Sequence, residues 1–82
     1  MKTNRITRVL NANKLEKQHG IYAGYSLTAF EDSVDVHYFA FSDELNNRKL
    51  TQISELLTEA GFQTKVIQGS NDAIYKVTVT TI

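Results

Sequence analysis

Asp35 and His37 are two side chains capable of proton transfer or metal binding that stand close together in the sequence. One residue separates them in a segment rich in β-branched and aromatic residues, so both would point to the same side of a strand. A zinc site takes three or four protein ligands, and this pair supplies only two of them. We therefore interpret the pair as locally solvated polar side chains and expect no metal ion or other cofactor.

Other catalytic patterns are poorly represented. No serine lies in a Gly-x-Ser-x-Gly elbow, and the absence of cysteine excludes a thiolate nucleophile and a disulfide. The adjacent acids Glu31 and Asp32 are typical of a solvated turn, and the four glycines are too scattered for a phosphate-binding loop. The sequence favours a protein that is not an enzyme, and a small-ligand-binding domain would require an enclosed pocket around His37.

Aromatic residues alternate along the end of the same segment. Phe39 and Phe41 share one side of the predicted strand, and Tyr22 and Tyr25 precede it in the chain. Exposed apolar patches of this kind mark interaction surfaces, unless the N-terminal segment covers them. We predict a surface that binds a protein partner, with the following candidate residues: Tyr25, Asp35, His37, Phe39 and Phe41.

The net charge of zero conceals a separation of charge along the chain. Residues 1–20 carry five basic side chains against one acid, a net +4, whereas residues 21–62 carry two against seven, a net −5. Basic segments attract nucleic-acid phosphates. The alternative function is therefore nucleic-acid binding through Arg5, Arg8, Lys14 and Lys17, although the same segment could simply neutralise the acidic one within the fold.

The strongest structural signal is a helix over residues 43–60. Ser42 is a favourable N-cap, two acids occupy the first turn, and Gly61 suits the left-handed position after the helix. Apolar residues recur at helical spacing and predict one buried face. They are Leu45, Leu50, Ile53, Leu56, Leu57 and Ala60.

Strand patterns occupy residues 25–30, 34–41, 63–67 and 73–80, and the turn-forming residues 68–72 predict a hairpin between the last two. In the final strand we expect Tyr75, Val77 and Val79 to face the helix. The spacing of Ile6, Val9 and Leu10 predicts a short N-terminal helix, which would end near Lys17, His19 and Gly20.

The resulting order, α-β-β-α-β-β, predicts an α+β fold with a single-layer antiparallel sheet of three to four strands and one or two helices on one face. This order is compatible with a ferredoxin-like sandwich. The 82 residues suit one domain, spanning 1–82, and no stretch approaches the ~20 apolar residues that cross a bilayer. We expect a cytoplasmic monomer or homodimer with no membrane association.

One family resemblance spans residues 24–80. Gly24-Tyr-Ser-Leu-Thr-Ala-Phe-Glu-Asp-Ser-Val-Asp-Val-His-Tyr-Phe-Ala-Phe41, a helix closing on Glu59-Ala-Gly-Phe62, and the final Tyr75-Lys-Val-Thr-Val79 resemble the type B regulators of ribonuclease E activity. The resemblance implies a ferredoxin-like sandwich and a non-catalytic protein that binds and restrains an endoribonuclease. This chain differs in the Val36 that separates Asp35 from His37 and in its basic N-terminus, so no binding residue is transferred from the family.

Overall fold

Two helices and four strands account for most of residues 3–69 and 73–80, which are the residues that the computed structural model describes. In chain order the elements are α1 (Asn4–Ala12), β1 (Gly24–Ala29), β2 (Val34–Phe39), α2 (Asp43–Glu59), β3 (Gln63–Gln68) and β4 (Ile74–Thr80). The predicted order of elements is confirmed. Residues 70–72 of the predicted 68–72 turn lie outside the described residues.

The four strands form one sheet in the order β1-β2-β4-β3, and every neighbouring pair is antiparallel. Since β2 and β3 both pair with β4, the connection through α2 carries the chain across the sheet to its far edge. The sheet therefore ends in β1 on one side and in β3 on the other. The predicted α+β class, with a single antiparallel sheet and helices, is confirmed.

Local sequence signals fix both ends of α2. The Ser42 hydroxyl accepts a hydrogen bond from the Leu45 N–H at 3.1 Å, which satisfies one of the free donors of the first turn. At the other end Gly61 adopts a φ of 99°, and the Phe62 N–H returns to the Leu57 carbonyl at 3.0 Å. This is the closing pattern expected of a glycine after a helix.

The first helix ends earlier than the sequence suggested. α1 stops at Ala12, so the prediction that Lys17, His19 and Gly20 form its C-terminal end was wrong. Lys14 takes the left-handed position with a φ of 65°, and the Leu15 N–H bonds to the Leu10 carbonyl at 3.0 Å. The chain turns back at this point, and the turn places Leu15 in the core although it lies off the helical stripe.

A single apolar core lies between the sheet and the two helices. It is built from these buried residues: Ile6, Leu10, Leu15, Tyr25, Val34, Val36, Leu50, Ile53, Leu57, Phe62, Val77 and Val79. The pairs Val34–Val79 and Val36–Val77 are directly opposite each other on β2 and β4, so they point to the same side of the sheet. The helices cover that side, with α2 packed across β2, β4 and β3 and α1 packed on α2.

Tyr75 was predicted to face the helix, and this prediction was wrong. The pairing of β3 with β4 shifts between Ile67 and Gln68, so that Gln68 pairs with Ile74 and one residue of β4 is left over. Because a side chain changes sides with each one-residue slip, Ile74 packs against the core and Tyr75 is 62% exposed. The regular alternation of the sequence gave no sign of this irregularity.

The segment between α1 and β1 closes part of one sheet edge. The Gln18 N–H donates to the Tyr25 carbonyl at 2.8 Å, and the Tyr25 N–H donates to the Glu16 carbonyl at 3.0 Å. Residues 16–18, here called the strap, therefore pair in parallel with the start of β1. Gly24 permits this approach, because a Cβ at that position would collide with the backbone of Lys17 and Gln18.

Candidate functional site

The side of the sheet opposite the helices is open. Alternation along β2 sends Asp35, His37 and Phe39 to this side, away from Val34 and Val36. Its other members come from the paired positions of the remaining strands: Ser26, Thr28, Gln63, Lys65, Ile67, Lys76, Thr78 and Thr80. Within residues 3–69 and 73–80 no helix packs on this face, so the alternative in which the N-terminal helix covers Phe39 does not hold.

Two phenylalanines dominate one end of the open face. The rings of Phe39 and Phe41 pack edge to face, with 5.5 Å between their centroids and 79° between their planes. Phe39 is 47% exposed and Phe41 is 74% exposed. β2 ends at Phe39, two residues before the predicted end, so Phe41 lies in the connection to α2. The two rings form an ordered apolar surface in contact with solvent.

Two further apolar side chains are exposed in the segment that precedes β1. Ile21 and Tyr22 lie in the loop before β1, where the Tyr22 N–H bonds to the His19 carbonyl at 3.0 Å, and they are 79% and 69% exposed. No ring contact between them and the phenylalanine pair is found among the described residues, so we call Phe39 and Phe41 alone the aromatic end of the sheet. Tyr22 was identified from the sequence and Ile21 was not, although Gly20 and Gly24 indicate a loop in which an isoleucine would be exposed.

Acidic side chains border the aromatic end. The chain continues from Phe41 through the N-cap Ser42 into the first turn of α2, where Asp43 and Glu44 are exposed. Glu44 also pairs with Arg48 at 3.2 Å, but both of these side chains are largely in solvent, so the ion pair contributes little to stability. The aromatic end therefore has an apolar centre beside a negatively charged rim.

Asp35 lies on the open face but is already occupied. One carboxylate oxygen is 2.7 Å from the Lys76 ammonium and the other accepts a hydrogen bond from the Thr78 hydroxyl at 2.9 Å. The hydrogen bond from Lys76 holds the pKa of Asp35 below its usual value, and burial only partly opposes this shift. These bonds join β2 to β4. The candidate partner residue Asp35 therefore has a structural role in this fold.

His37 contacts Tyr75 on the same face. Their rings meet edge to face with centroids 5.5 Å apart. Both line a depression open to solvent, together with Tyr38, Asp43 and Asn46. Across residues 3–69 and 73–80, no group of three His, Asp or Glu side chains is positioned to hold a metal ion.

Tyr25 belongs to the core and is not part of the exposed surface. It is directly opposite Tyr38 on the helix-covered side and is 1% exposed. Its hydroxyl donates a hydrogen bond to Asn11 Oδ1 at 2.8 Å, which ties β1 to α1. Burial raises the pKa of Tyr25, with a smaller opposing effect of a hydrogen bond involving Thr7. Its assignment as a partner-contacting residue is therefore corrected: the ring is inaccessible to a partner.

The four candidate nucleic-acid-binding residues occupy different surroundings. The Arg5 guanidinium lies over the Phe62 ring at 5.0 Å, where it covers the edge of the core. Lys14 holds the left-handed turn after α1. Arg8 and Lys17 line one shallow depression, whose other described lining residues are Thr3, Asn4, Thr7, Asn11 and Ala12. Only two of the four cations are thus brought together.

Comparison with known proteins gives no match: no family model, curated protein or solved structure is significantly similar to this chain. The resemblance to ribonuclease E regulators therefore depends on the quoted residues of 24–80 alone. Neither helix among the described residues combines the length and apolar character needed to cross a membrane.

Proposed function

We propose that this chain is a non-catalytic regulatory module that binds a protein partner through the aromatic end of its sheet. The observation that carries the proposal is the edge-to-face pair of Phe39 and Phe41, exposed at 47% and 74%. Aromatic side chains are enriched at the centres of protein interfaces, where they supply most of the binding free energy. Because the two rings already hold each other, docking a partner would cost little additional side-chain entropy.

The surroundings of the rings suggest the chemistry of the partner. Asp43 and Glu44 follow Phe41 in the chain and are exposed, and residues 21–62 carry a net charge of −5. Complementary charge increases the association rate and selects among partners. The matching surface on the partner is an apolar pocket with lysine or arginine side chains at its rim. A larger enzyme that this module inhibits or modulates, such as a ribonuclease, fits both this chemistry and the family resemblance.

A matched set of phenylalanine variants tests the proposal. The tagged chain would capture proteins from its source cell, in parallel with the double variant Phe39→Ala, Phe41→Ala and with Phe30→Ala. Phe30 is 52% exposed but follows β1 at the opposite end of the sheet, so it controls for the loss of an exposed ring. A captured partner would then be purified and its affinity measured by calorimetry.

We expect the partner to be retained by Phe30→Ala and to bind the double variant at least about thirtyfold more weakly, as is typical of interface hot spots. Circular dichroism would establish that all variants fold. Equal binding by the wild type and the double variant would contradict the proposal, and so would an equal loss in Phe30→Ala.

Nucleic-acid binding is a second candidate, supported by the shared depression that Arg8 and Lys17 line. If Arg8 and Lys17 each contact a phosphate of a single strand, the logarithm of the affinity should fall with the logarithm of salt concentration with a slope of about −1 to −2. Fluorescence anisotropy with a labelled single strand measures this slope. The double variant Arg8→Gln, Lys17→Gln should bind more weakly than Arg48→Gln, Lys49→Gln, which removes the same charge from α2. Absence of binding at low salt would exclude this candidate.

A further inference from the structure

The two edges of the sheet differ in the pairing of their outward backbone groups. At the β1 edge the strap occupies the outward N–H and C=O of Tyr25. At the β3 edge, no strand within residues 3–69 and 73–80 pairs with the outer side of Gln63–Gln68. An unpaired edge strand presents a row of backbone donors and acceptors that another strand can use.

The composition of β3 does little to prevent such pairing. The chain contains no proline, and Lys65 is the single charged residue of the strand. Val66 is 38% exposed at the edge, although it is directly opposite the fully buried Val77. The irregular pairing affects only the last residue of β3, so Gln63–Ile67 remain regular. Proteins normally protect an edge with charge, proline or a bulge.

The flank of α2 that approaches this edge carries two hydroxyl side chains that bond to β3. The hydroxyls of Ser54 and Thr58 both bond to Thr64 Oγ1 at 2.9 Å, so this flank of α2 is built from small polar side chains tied to β3. A second molecule approaching along β3 would bring the corresponding hydroxyl side chains of its own α2 towards these.

From these features we propose that β3 pairs with β3 of a second copy, antiparallel and about a two-fold axis at Val66. This register places Val66 against Val66 of the other copy and covers the exposed apolar side chain. It places Lys65 opposite Ile67, whereas an axis one residue earlier would set the two Lys65 ammonium groups directly opposite each other. The product is one continuous eight-stranded sheet with the helices of both copies on the same side.

The dimer is expected to be weak. A contact of one short strand from each copy lies at or below the lower end of stable interface sizes, so dimer and monomer exchange readily. The aromatic end remains outside the contact, because Phe39 ends β2, Phe41 follows it, and β4 separates β2 from β3. Self-association and the proposed partner binding are therefore independent and are tested separately.

Charge complementation at position 66 tests this arrangement. Sedimentation equilibrium would be run on the wild type, Val66→Lys, Val66→Glu and an equimolar mixture of the two variants, from about 10 μM to about 1 mM, the range in which a weak dimer is populated. Thr28→Lys and Thr28→Glu are the matched controls, since Thr28 is exposed on the other edge strand. Circular dichroism checks folding, which a substitution at this partly exposed position should not prevent.

We expect the wild type to dimerise, each Val66 variant to dimerise at least tenfold more weakly, and the mixture to recover a dimer that contains one of each. Only direct juxtaposition of the two residues 66 produces that recovery. A wild type that stays monomeric throughout, a dimer that persists in Val66→Lys, or a mixture that remains monomeric would each overturn the proposal. The same holds if the Thr28 variants dissociate the dimer equally.

Discussion

The ammonium of Lys76 lies 2.7 Å from the carboxylate of Asp35, in a contact that spans the two central strands of the sheet. Asp35 is 6% exposed although its face of the sheet is open, because Lys76 and Thr78 cover it. A nearly buried carboxylate of this kind is stable only while its partners remain. The contact therefore joins the two central strands on the open face, from which His37 and Phe39 project.

Removing the charge of Asp35 should destabilise the protein. We expect Asp35→Asn to lower the free energy of unfolding at pH 7 by about 1–3 kcal/mol, because Lys76 and Thr78 lose an ionised acceptor. Urea denaturation measures the effect. Asp32→Asn, an exposed acid in the β1–β2 turn, should change stability by less than about 0.5 kcal/mol. Equal effects of the two variants would show that the contact with Lys76 contributes no stability.

The same contact should make stability depend on pH in the acidic range. The pKa of Asp35 in the folded state is below its ordinary value of 3.8, so its stabilising contribution is complete above that value. The contribution is lost as the pH falls through the lower, folded-state pKa. The difference in stability between the wild type and Asp35→Asn should therefore be largest near neutrality and shrink at low pH. A difference in stability that stays constant with pH would show that ionisation of Asp35 does not contribute to the stability of the fold.

Lys14 after α1 and Gly61 after α2 both have a left-handed backbone conformation. Substitutions at these two positions should change the stability of the protein in opposite directions. Lys14 has a φ of 65°, a conformation that costs a non-glycine residue about 1 kcal/mol, so Lys14→Gly should raise the melting temperature. Gly61 has a φ of 99° and open space where a Cβ would lie, so Gly61→Ala should destabilise by about 1 kcal/mol through backbone strain alone. Ala12→Gly, within α1, should also destabilise, which controls for glycine itself. The melting temperatures of the three variants, each compared with that of the wild type, test these three expectations.

The aromatic end should contribute more to binding than to stability. Because Phe39 and Phe41 are 47% and 74% exposed, each change to alanine should lower the free energy of unfolding by less than about 1 kcal/mol. Leu50→Ala, at a fully buried position, should cost about 2–5 kcal/mol. Guanidinium denaturation compares them. A large loss of stability in the phenylalanine variants would identify the rings as part of the core.

Features encoded by neighbouring residues were predictable from the sequence. The N-cap Ser42 and the closing Gly61 fixed the limits of α2, and the spacing of Leu50, Ile53 and Leu57 correctly identified its buried face. The open face could also be predicted in part, because alternation along β2 separates Phe39 from Val36. These signals act within one element and need no knowledge of its neighbours.

Features that depend on distant parts of the chain could not be predicted. The burial of Tyr25 depends on Asn11 of α1, and the exposure of Tyr75 depends on a shift in its pairing with β3. The end of α1 depends on Lys14 adopting a conformation that its side chain disfavours, so the usual glycine signal was missing. In each case tertiary contacts overrode a local preference.

The strap also limits how far this sheet can grow. A sheet with two free edges can add strands without end, which is the geometry of a fibril. Here residues 16–18 occupy the start of one edge, and the segment before them is held by two buried side chains, Leu10 of α1 and Leu15 after it. Displacement of the N-terminal helix would therefore release the strap and expose the start of β1, where a further molecule could add a strand.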